Sequence, residues 1–142
     1  MEPSEVRSVV DKSWKAICTA NWDALAAVTH DDIVMEFSEG TFVRGREDCR
    51  AFWQYYLGNY HMHVVHMNII PEGDTAAVEA ALELTYHTTK PGMPEACGQK
   101  VTIPAAVFVT LRDGKVQRSR FVYSLADWMR IFQEQLMQKQ TT

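Results

Sequence analysis

Three histidines stand close together near the middle of the chain, in a segment otherwise rich in β-branched residues. His61 and His63 are two residues apart, and His66 follows three residues later. Because side chains alternate along a strand, His61 and His63 are expected on one face and His66 on the other, unless a β-bulge changes the register. An imidazole titrates near neutral pH, so it can act as a general acid or base where it faces a cavity. His66, whose position in the predicted strand is deeper, is the first candidate for this role, and His63 is another.

The histidine pair also fits a metal site. Imidazoles of a His-x-His pair on one strand can bind zinc when a third ligand completes the site. Glu79, Glu83 and His87, on a neighbouring predicted strand, are available as that ligand. Exposed or structurally hydrogen-bonded histidines are the remaining interpretation. The pattern leaves these alternatives open, and we assign neither a metal nor a cofactor.

Two glutamates share one face of the next predicted strand. Glu79 and Glu83 are four residues apart, and alternation places them opposite a more apolar row. Burial in a cavity raises the pKa of a carboxyl group in general and makes it a useful general acid. On the other side of the sheet the pair would face solvent or a dimer interface, with Arg118 and Arg120 as partners. Both orientations are open, and Glu83 is taken as a catalytic candidate.

Glu36 and two tyrosines complete the residues selected for their chemistry. Glu36 follows Met35 in a short predicted strand, and a register shift of one residue would move it to the other face of the sheet. Tyr86 and Tyr123, in later strands, can donate hydrogen bonds to a ligand carbonyl or alkoxide. Glu36 is therefore a catalytic candidate, and the two tyrosines are substrate-binding candidates.

These side chains need a scaffold, which the periodicity of apolar residues predicts. Helical spacing indicates helices over residues 5–20, with Ser4 as N-cap, over 22–30 and over 46–59. A last helix starts at Ser124, with Asp127 as its capping-box partner. Alternation between turn residues indicates strands over 33–38, 41–43, 61–70, 75–88, 100–111 and 116–123. Helices gathered on one side of a curved antiparallel sheet make an α+β domain.

Composition narrows the classes of function. The 142 residues, 46% hydrophobic and 23% charged, suit one soluble domain, which we place at residues 1–142. A net charge of −4 without a basic run argues against nucleic acid and membrane partners. Three separated cysteines, and the lack of a signal-like or membrane-spanning apolar stretch, predict a cytoplasmic protein. P-loop, GxGxxG, GxSxG and HExxH motifs do not occur, which removes support for nucleotide binding, serine hydrolysis and HExxH-type zinc peptidase activity.

Four motifs occur in a characteristic order along the chain. They are Trp14 with residues 21–25, residues 31–36 with 44–47, residues 70–74 before an alternating strand, and residues 112–123 before a helix. Together they span nearly the whole chain and resemble the nuclear transport factor 2-like superfamily, in particular its SnoaL-like and ketosteroid-isomerase-like members. Because this superfamily hosts many unrelated activities, the resemblance indicates the fold more strongly than the chemistry.

The resemblance implies a cone-shaped sheet around helices, a deep apolar cavity, no cofactor, and homodimers formed through the outer face of the sheet. It places Trp14 and Trp53 in the cavity wall. Phe37 falls where ketosteroid isomerases keep their general base, and Ala105-Ala106 falls near their oxyanion-hole acid. A steroid isomerase is therefore not expected, and Phe37 is taken as a substrate-binding residue. Epoxide hydrolases of the limonene type place an Arg and an Asp on the late strands, where this chain lacks the carboxylate.

The resulting hypothesis is a cofactor-independent isomerase or cyclase of the SnoaL type. It would act on a hydrophobic secondary metabolite, polyketide- or terpenoid-like, by general acid/base catalysis. His66 or a carboxylate, Glu36 or Glu83, would move the proton. The alternatives are a non-catalytic small-molecule binding or dimerisation module, an epoxide-opening hydrolase or cyclase, and a metal-dependent enzyme that uses the histidine pair.

Overall fold

The computed structural model describes residues 1–141, and within that range the chain forms four helices and six strands. The helices are α1 (Pro3–Cys18), α2 (Trp22–Ala27), α3 (Arg46–Asn59) and α4 (Leu125–Thr141). The strands are β1 (Thr29–Glu36), β2 (Phe42–Arg44), β3 (Tyr60–Glu72), β4 (Thr75–Tyr86), β5 (Gln99–Arg112) and β6 (Lys115–Val122).

All six strands belong to one curved, unclosed sheet with the order β2-β1-β6-β5-β4-β3. The α+β architecture and the nuclear transport factor 2-like fold that the sequence predicts are confirmed. The sheet is mixed rather than wholly antiparallel, because β1 and β6 run parallel. Every other pair of neighbouring strands is antiparallel, as hairpin connections between consecutive strands require.

An apolar row on each long strand forms the inner face of the sheet. The buried residues of β4 show the alternation clearly: Ala76, Val78, Ala80, Leu82, Leu84 and Tyr86. Helix α1 packs against β3, α3 against β1, and α4 against β5. On α4, Phe132 is fully buried and stacks on the ring of Tyr86, with centroids 4.9 Å apart. The core therefore lies between the helices and the inner face, and the intervening residues of each strand form the outer face.

Strand β1 begins at Thr29, four residues before its predicted start. The cause is the parallel pairing with β6, in which Thr29 stands opposite Val116. The backbone N–H of Val116 also donates to the carbonyl of Val28 at 2.8 Å. A strand from the far end of the chain thus draws Asp31 and Asp32 into the sheet, although their local sequence predicts a turn.

The two helix starts for which the sequence predicts a capping residue have different outcomes. The hydroxyl of Ser124 accepts a hydrogen bond from the backbone N–H of Asp127 at 3.2 Å, as predicted for the start of α4. Helix α1, however, begins at Pro3 with Glu2 at the N-cap position, so Ser4 is not its N-cap. None of the helices within residues 1–141 is long and apolar enough to cross a bilayer.

Candidate active site

A cavity of about 240 Å³ opens between the inner face of the sheet and helices α1, α3 and α4. We call it the aromatic cavity. Its wall is largely apolar, with few polar groups, which is the composition of a small-molecule site. The lining residues come from the helices (Trp14, Phe52, Trp53, Tyr56, Leu125, Trp128, Met129), the strands (Tyr60, Met62, Leu82, Ile103, Ala105, Val107, Phe121) and the connecting segments (Phe37, Glu39, Lys90, Pro91, Gly92, Met93, Tyr123).

Aromatic rings hold one another in place along this wall. Phe37 stacks on Phe121, with centroids 4.9 Å apart and planes 8° from parallel, and lies 4.6 Å from Phe52. Trp53 meets Phe52 edge-on at 5.3 Å and Tyr56 edge-on at 5.6 Å. Offset and edge-to-face contacts of this kind stabilise the wall beyond the burial of its area. The rings therefore offer fixed apolar surfaces to a flat guest molecule.

One carboxylate lies in the wall, and a tyrosine holds it. Among the lining residues of the described chain, Glu39 is the one acidic side chain, and its Oε2 accepts a hydrogen bond from the hydroxyl of Tyr123 at 2.6 Å. Burial, and then the hydrogen bond to Glu39 with its negative charge, raises the pKa of Tyr123. Ser38 fixes this arrangement, because its hydroxyl accepts from the N–H of Tyr123 at 2.9 Å and donates to the carbonyl of Phe121 at 3.1 Å. We refer to the side chains of Tyr123 and Glu39, joined by this hydrogen bond, as the Tyr123–Glu39 pair.

Three further polar groups of the wall have no hydrogen-bond partner. Burial raises the pKa of Tyr56, and the neighbouring Tyr60 and Tyr123 raise it further. Burial also raises the pKa of Tyr60. Within residues 1–141, the hydroxyls of Tyr56 and Tyr60 make no hydrogen bond. The buried Nε1–H of Trp128 also has no partner there. Both phenols stay protonated at neutral pH, so they are available as donors to an oxygen of a guest.

Four of the five predicted substrate-binding residues, Trp14, Trp53, Phe37 and Tyr123, lie in the wall of the aromatic cavity. Tyr86 does not, which corrects its prediction. It is fully buried beneath the loop at residues 87–98, and its hydroxyl donates to a backbone carbonyl of that loop at 2.6 Å. Because part of the same loop closes the cavity, Tyr86 supports the wall from behind.

The predicted catalytic histidines lie on the outer face of the sheet. His63 stands opposite Glu83, which belongs to the outer row of β4. A bulge at Val65 then shifts the register, so that His66 stands opposite Ala81 and returns to the outer face. The expectation that His66 faces the cavity is therefore corrected, and the bulge is the reason.

The predicted catalytic carboxylates also point away from the cavity. Glu36 forms an ion pair with Arg118 at 3.0 Å on the outer face, while its neighbour Phe37 faces inward. Glu83 lies 3.8 Å from Lys100. Partly exposed ion pairs of this kind contribute little to stability. Among the residues that the structure describes, no group of three or more His, Cys, Asp or Glu side chains is placed to hold a metal ion.

Sequence reasoning missed the polar groups that do line the cavity. Glu39 stands next to Gly40, and this pair indicated only a turn. Tyr56 was assigned to the apolar stripe of α3, and Tyr60 preceded the predicted start of β3. Spacing offered one signal: Tyr56 and Tyr60 are four residues apart, which is one helical turn, at the junction of α3 and β3.

Comparison with known proteins identifies close structural relatives. A model of the SnoaL-like domain matches residues 10–119. A candidate polyketide cyclase from Xanthomonas campestris pv. campestris is 25% identical, with a TM-score of 0.87, over 92% of this chain and 98% of that one. Another from Silicibacter sp. is 28% identical, with a TM-score of 0.84, over 92% and 96%. An LEH-like epoxide hydrolase from M. tuberculosis is 18% identical, with a TM-score of 0.76, over 96% of each chain. No curated protein matches the sequence.

Proposed function

The chain belongs to the SnoaL-like family, and from this premise we propose that it is a cofactor-independent isomerase or cyclase. Its substrate is an apolar metabolite of the polyketide or terpenoid type that carries a ketone. The proposal rests on the Tyr123–Glu39 pair. It places a carboxylate, held by a 2.6 Å hydrogen bond, in a largely apolar wall. Relatives described as candidate polyketide cyclases support the same class of reaction.

Glu39 is the general base of the proposed reaction. Its carboxylate takes a proton from the carbon next to the ketone, and the electron pair of the broken C–H bond becomes an enolate. In a cyclisation the enolate carbon then forms a bond to a second carbonyl carbon of the same molecule, and the resulting alkoxide takes up the proton. In an isomerisation the protonated Glu39 returns the proton to a different carbon. Both routes balance without an oxidant or a metal.

The phenols of Tyr56 and Tyr60 stabilise the enolate oxygen. An oxyanion gains most from donors that are already in place within an apolar, water-excluded site. Both hydroxyls are unpaired within residues 1–141 and remain protonated because burial raises their pKa. Their role is therefore to donate hydrogen bonds rather than protons.

Tyr123 is a positioning residue for the base. Its hydrogen bond holds one carboxylate oxygen of Glu39 and leaves the other for the substrate proton. Removal of this hydroxyl should lower the rate at saturating ketone while the affinity for the ketone stays nearly constant. A purely structural role would change affinity and stability instead.

The test uses exchange of α-protons for deuterium in 2-tetralone, followed by NMR in D₂O. We expect the wild-type protein to accelerate exchange and Glu39→Gln to slow it about 10²-fold, the lower end of what general acid/base catalysis contributes. Glu79→Gln, a matched change on the outer face, and His66→Ala should each stay within about twofold of wild type.

Two results would count against the proposal. Full exchange activity in Glu39→Gln would show that Glu39 is not the general base. Loss of activity in His66→Ala would indicate that His66, on the outer face of the sheet, takes part in the proton transfer. Saturable binding of 2-tetralone without any accelerated exchange would instead support a non-catalytic binding module.

We also propose that the chain forms a homodimer through the outer face of the sheet. Phe108 and Val122 on this face are 52% and 43% exposed, which leaves two large apolar side chains available to a partner. Ala77 stands directly opposite Phe108, and Ala106 directly opposite Val122, and these small side chains allow close approach of a second sheet. The occupant of this surface is therefore a second copy of the chain.

A further inference from the structure

A second cavity, of about 170 Å³, lies among α1, α2, the start of α3 and the inner face of the sheet. We call it the small cavity. Four residues line both cavities: Trp14, Trp53, Val107 and Phe121. The three aromatic ones form a shared wall, which we call the aromatic partition. These three rings meet edge-on, with centroids 6.3 Å apart for the two tryptophans and 5.9 Å for Trp53 and Phe121. The small cavity therefore lies on the other side of the aromatic partition from most of the aromatic cavity.

One hydroxyl in its wall, that of Ser119, faces the cavity without a protein partner among residues 1–141. Ser119 is 8% exposed and stands opposite Met35 and Val109, which are both buried on the inner face. Its hydroxyl lines the small cavity and makes no hydrogen bond within residues 1–141. The hydroxyl of Thr29, in the same wall, does have a protein partner, because it donates to the carbonyl of Leu25 at 2.6 Å. A hydroxyl that faces a cavity without a protein partner is free to hydrogen-bond to a polar group of a guest, so Ser119 can bind an oxygen of a molecule in the cavity.

The charges at the mouth of the small cavity compensate one another. Arg50 pairs with Glu47 at 2.7 Å, and Arg46 pairs with Asp31 at 3.0 Å. Asp23 adds one negative charge to the same rim. The mouth therefore carries no excess positive charge that would offset the cost of desolvating an anion. Beyond this rim the wall carries no charged group, which also disfavours a buried cation.

We propose that the small cavity is a second binding site, for a neutral ring-sized molecule with one hydroxyl or carbonyl group. The oxygen of this molecule hydrogen-bonds to the hydroxyl of Ser119, and its ring contacts the aromatic partition. The size fits, since an apolar cavity of about 150 Å³ is sufficient for benzene. Glu39, the proposed catalytic base, does not line this cavity. The second site can therefore be tested independently of the proposed isomerase or cyclase activity.

Phenol and benzene are matched probes for this site, because they differ by the hydroxyl alone. Titration of methyl-labelled protein should shift the NMR signals of Ile33, Val109 and Val116, which line only the small cavity. Signals of Leu82 and Ile103, which line only the aromatic cavity, report occupancy of the other space. Shifts restricted to Leu82 and Ile103 would overturn the proposal, as would no shift at all with either probe.

Ser119→Ala separates a ligand-binding hydroxyl from a structural one. We expect the variant to bind phenol about fivefold more weakly and benzene as well as wild type does, which is the size of effect expected for one neutral hydrogen bond. Its melting temperature without ligand should stay nearly equal, because no protein hydrogen bond is lost. Thr29→Val is the control and should lower the melting temperature by about 3 °C, because a formed hydrogen bond is lost. Equal phenol affinity in Ser119→Ala, or a fall in its melting temperature like that of Thr29→Val, would refute the proposal.

Discussion

Tyr86→Phe should loosen the loop that closes the aromatic cavity and leave the core beneath it intact. The hydroxyl of Tyr86 donates to the carbonyl of Pro94 at 2.6 Å and accepts from the N–H of Lys90 at 2.9 Å. The substitution removes both bonds at once. It keeps the ring, which stacks on Phe132 with planes only 2° apart and lies 5.2 Å from Tyr60. The change therefore isolates the hydroxyl from the packing.

The size of the effect follows from these two bonds. A neutral hydrogen bond contributes about 1 kcal/mol net, and Tyr86 is fully buried, so we expect a loss of about 2 kcal/mol in the free energy of unfolding. Unpaired backbone groups left beneath the loop raise the upper limit to roughly 3 kcal/mol. For 142 residues the entropy of unfolding is about 0.3 kcal/mol per degree. The melting temperature should therefore fall by about 7 °C.

Urea denaturation measures the stability, and amide hydrogen exchange of Lys90 measures the loop. Exchange at Lys90 should accelerate more than exchange in β4, because the loop opens before the strand does. Tyr55→Phe is the matched control. Tyr55 is 54% exposed, so its hydroxyl is hydrated and its removal should change stability by less than about 0.5 kcal/mol. Unchanged stability and unchanged exchange at Lys90 in Tyr86→Phe would refute the assignment of Tyr86 as the support of this loop.

Two further results are expected. Phe108→Glu should convert the proposed dimer to a monomer in sedimentation velocity. Met137→Glu, which also changes an exposed apolar side chain, is the control and should leave a dimer. A monomeric wild type at tens of micromolar, or a dimeric Phe108→Glu variant, would contradict the interface. Burial raises the pKa of Tyr56, Tyr60 and Tyr123, so the folded protein retains protons that the unfolded chain loses above pH ~10, and stability should fall as pH rises. Absorbance at 295 nm should then follow loss of near-ultraviolet circular dichroism, and complete phenol ionisation before unfolding would refute the burial of these hydroxyls.

Local periodicity was sufficient to predict most elements of the fold. Helix α3 spans residues 46–59 as predicted, because its apolar stripe and the glycine at its N-cap are local signals. Strand β4 also begins where predicted, at Thr75, after a strong turn sequence. The signals for both elements lie within the elements themselves or in the residues directly before them. Sequence patterns are informative over this short range.

The orientation of the catalytic candidates depended on features without a local signal. The bulge at Val65 moves His66 to the outer face, and nothing in the residue types of β3 marks that position. The parallel pairing of β1 with β6 joins segments about 85 residues apart, as in the hydrogen bond from Gln117 to the carbonyl of Asp32. Glu39 reaches the cavity for a similar reason, because Ser38 fastens the turn to β6. Long-range contacts therefore determine which side chains face the cavity, whereas local contacts determine where the helices and strands lie.

The distribution of polarity in the aromatic cavity has a consequence for how a substrate would bind there. The deep end is formed by the buried Trp14, Trp53 and Val107, which offer a ketone oxygen no charged group. Glu39 lies in an exposed turn at the mouth, and Lys90 lines the mouth from the opposite loop. An amphipathic guest therefore gains most by entering with its apolar end first, which leaves the carbonyl-bearing end beside Glu39. The proposed enolisation therefore occurs at the mouth, next to the loop that Tyr86 supports.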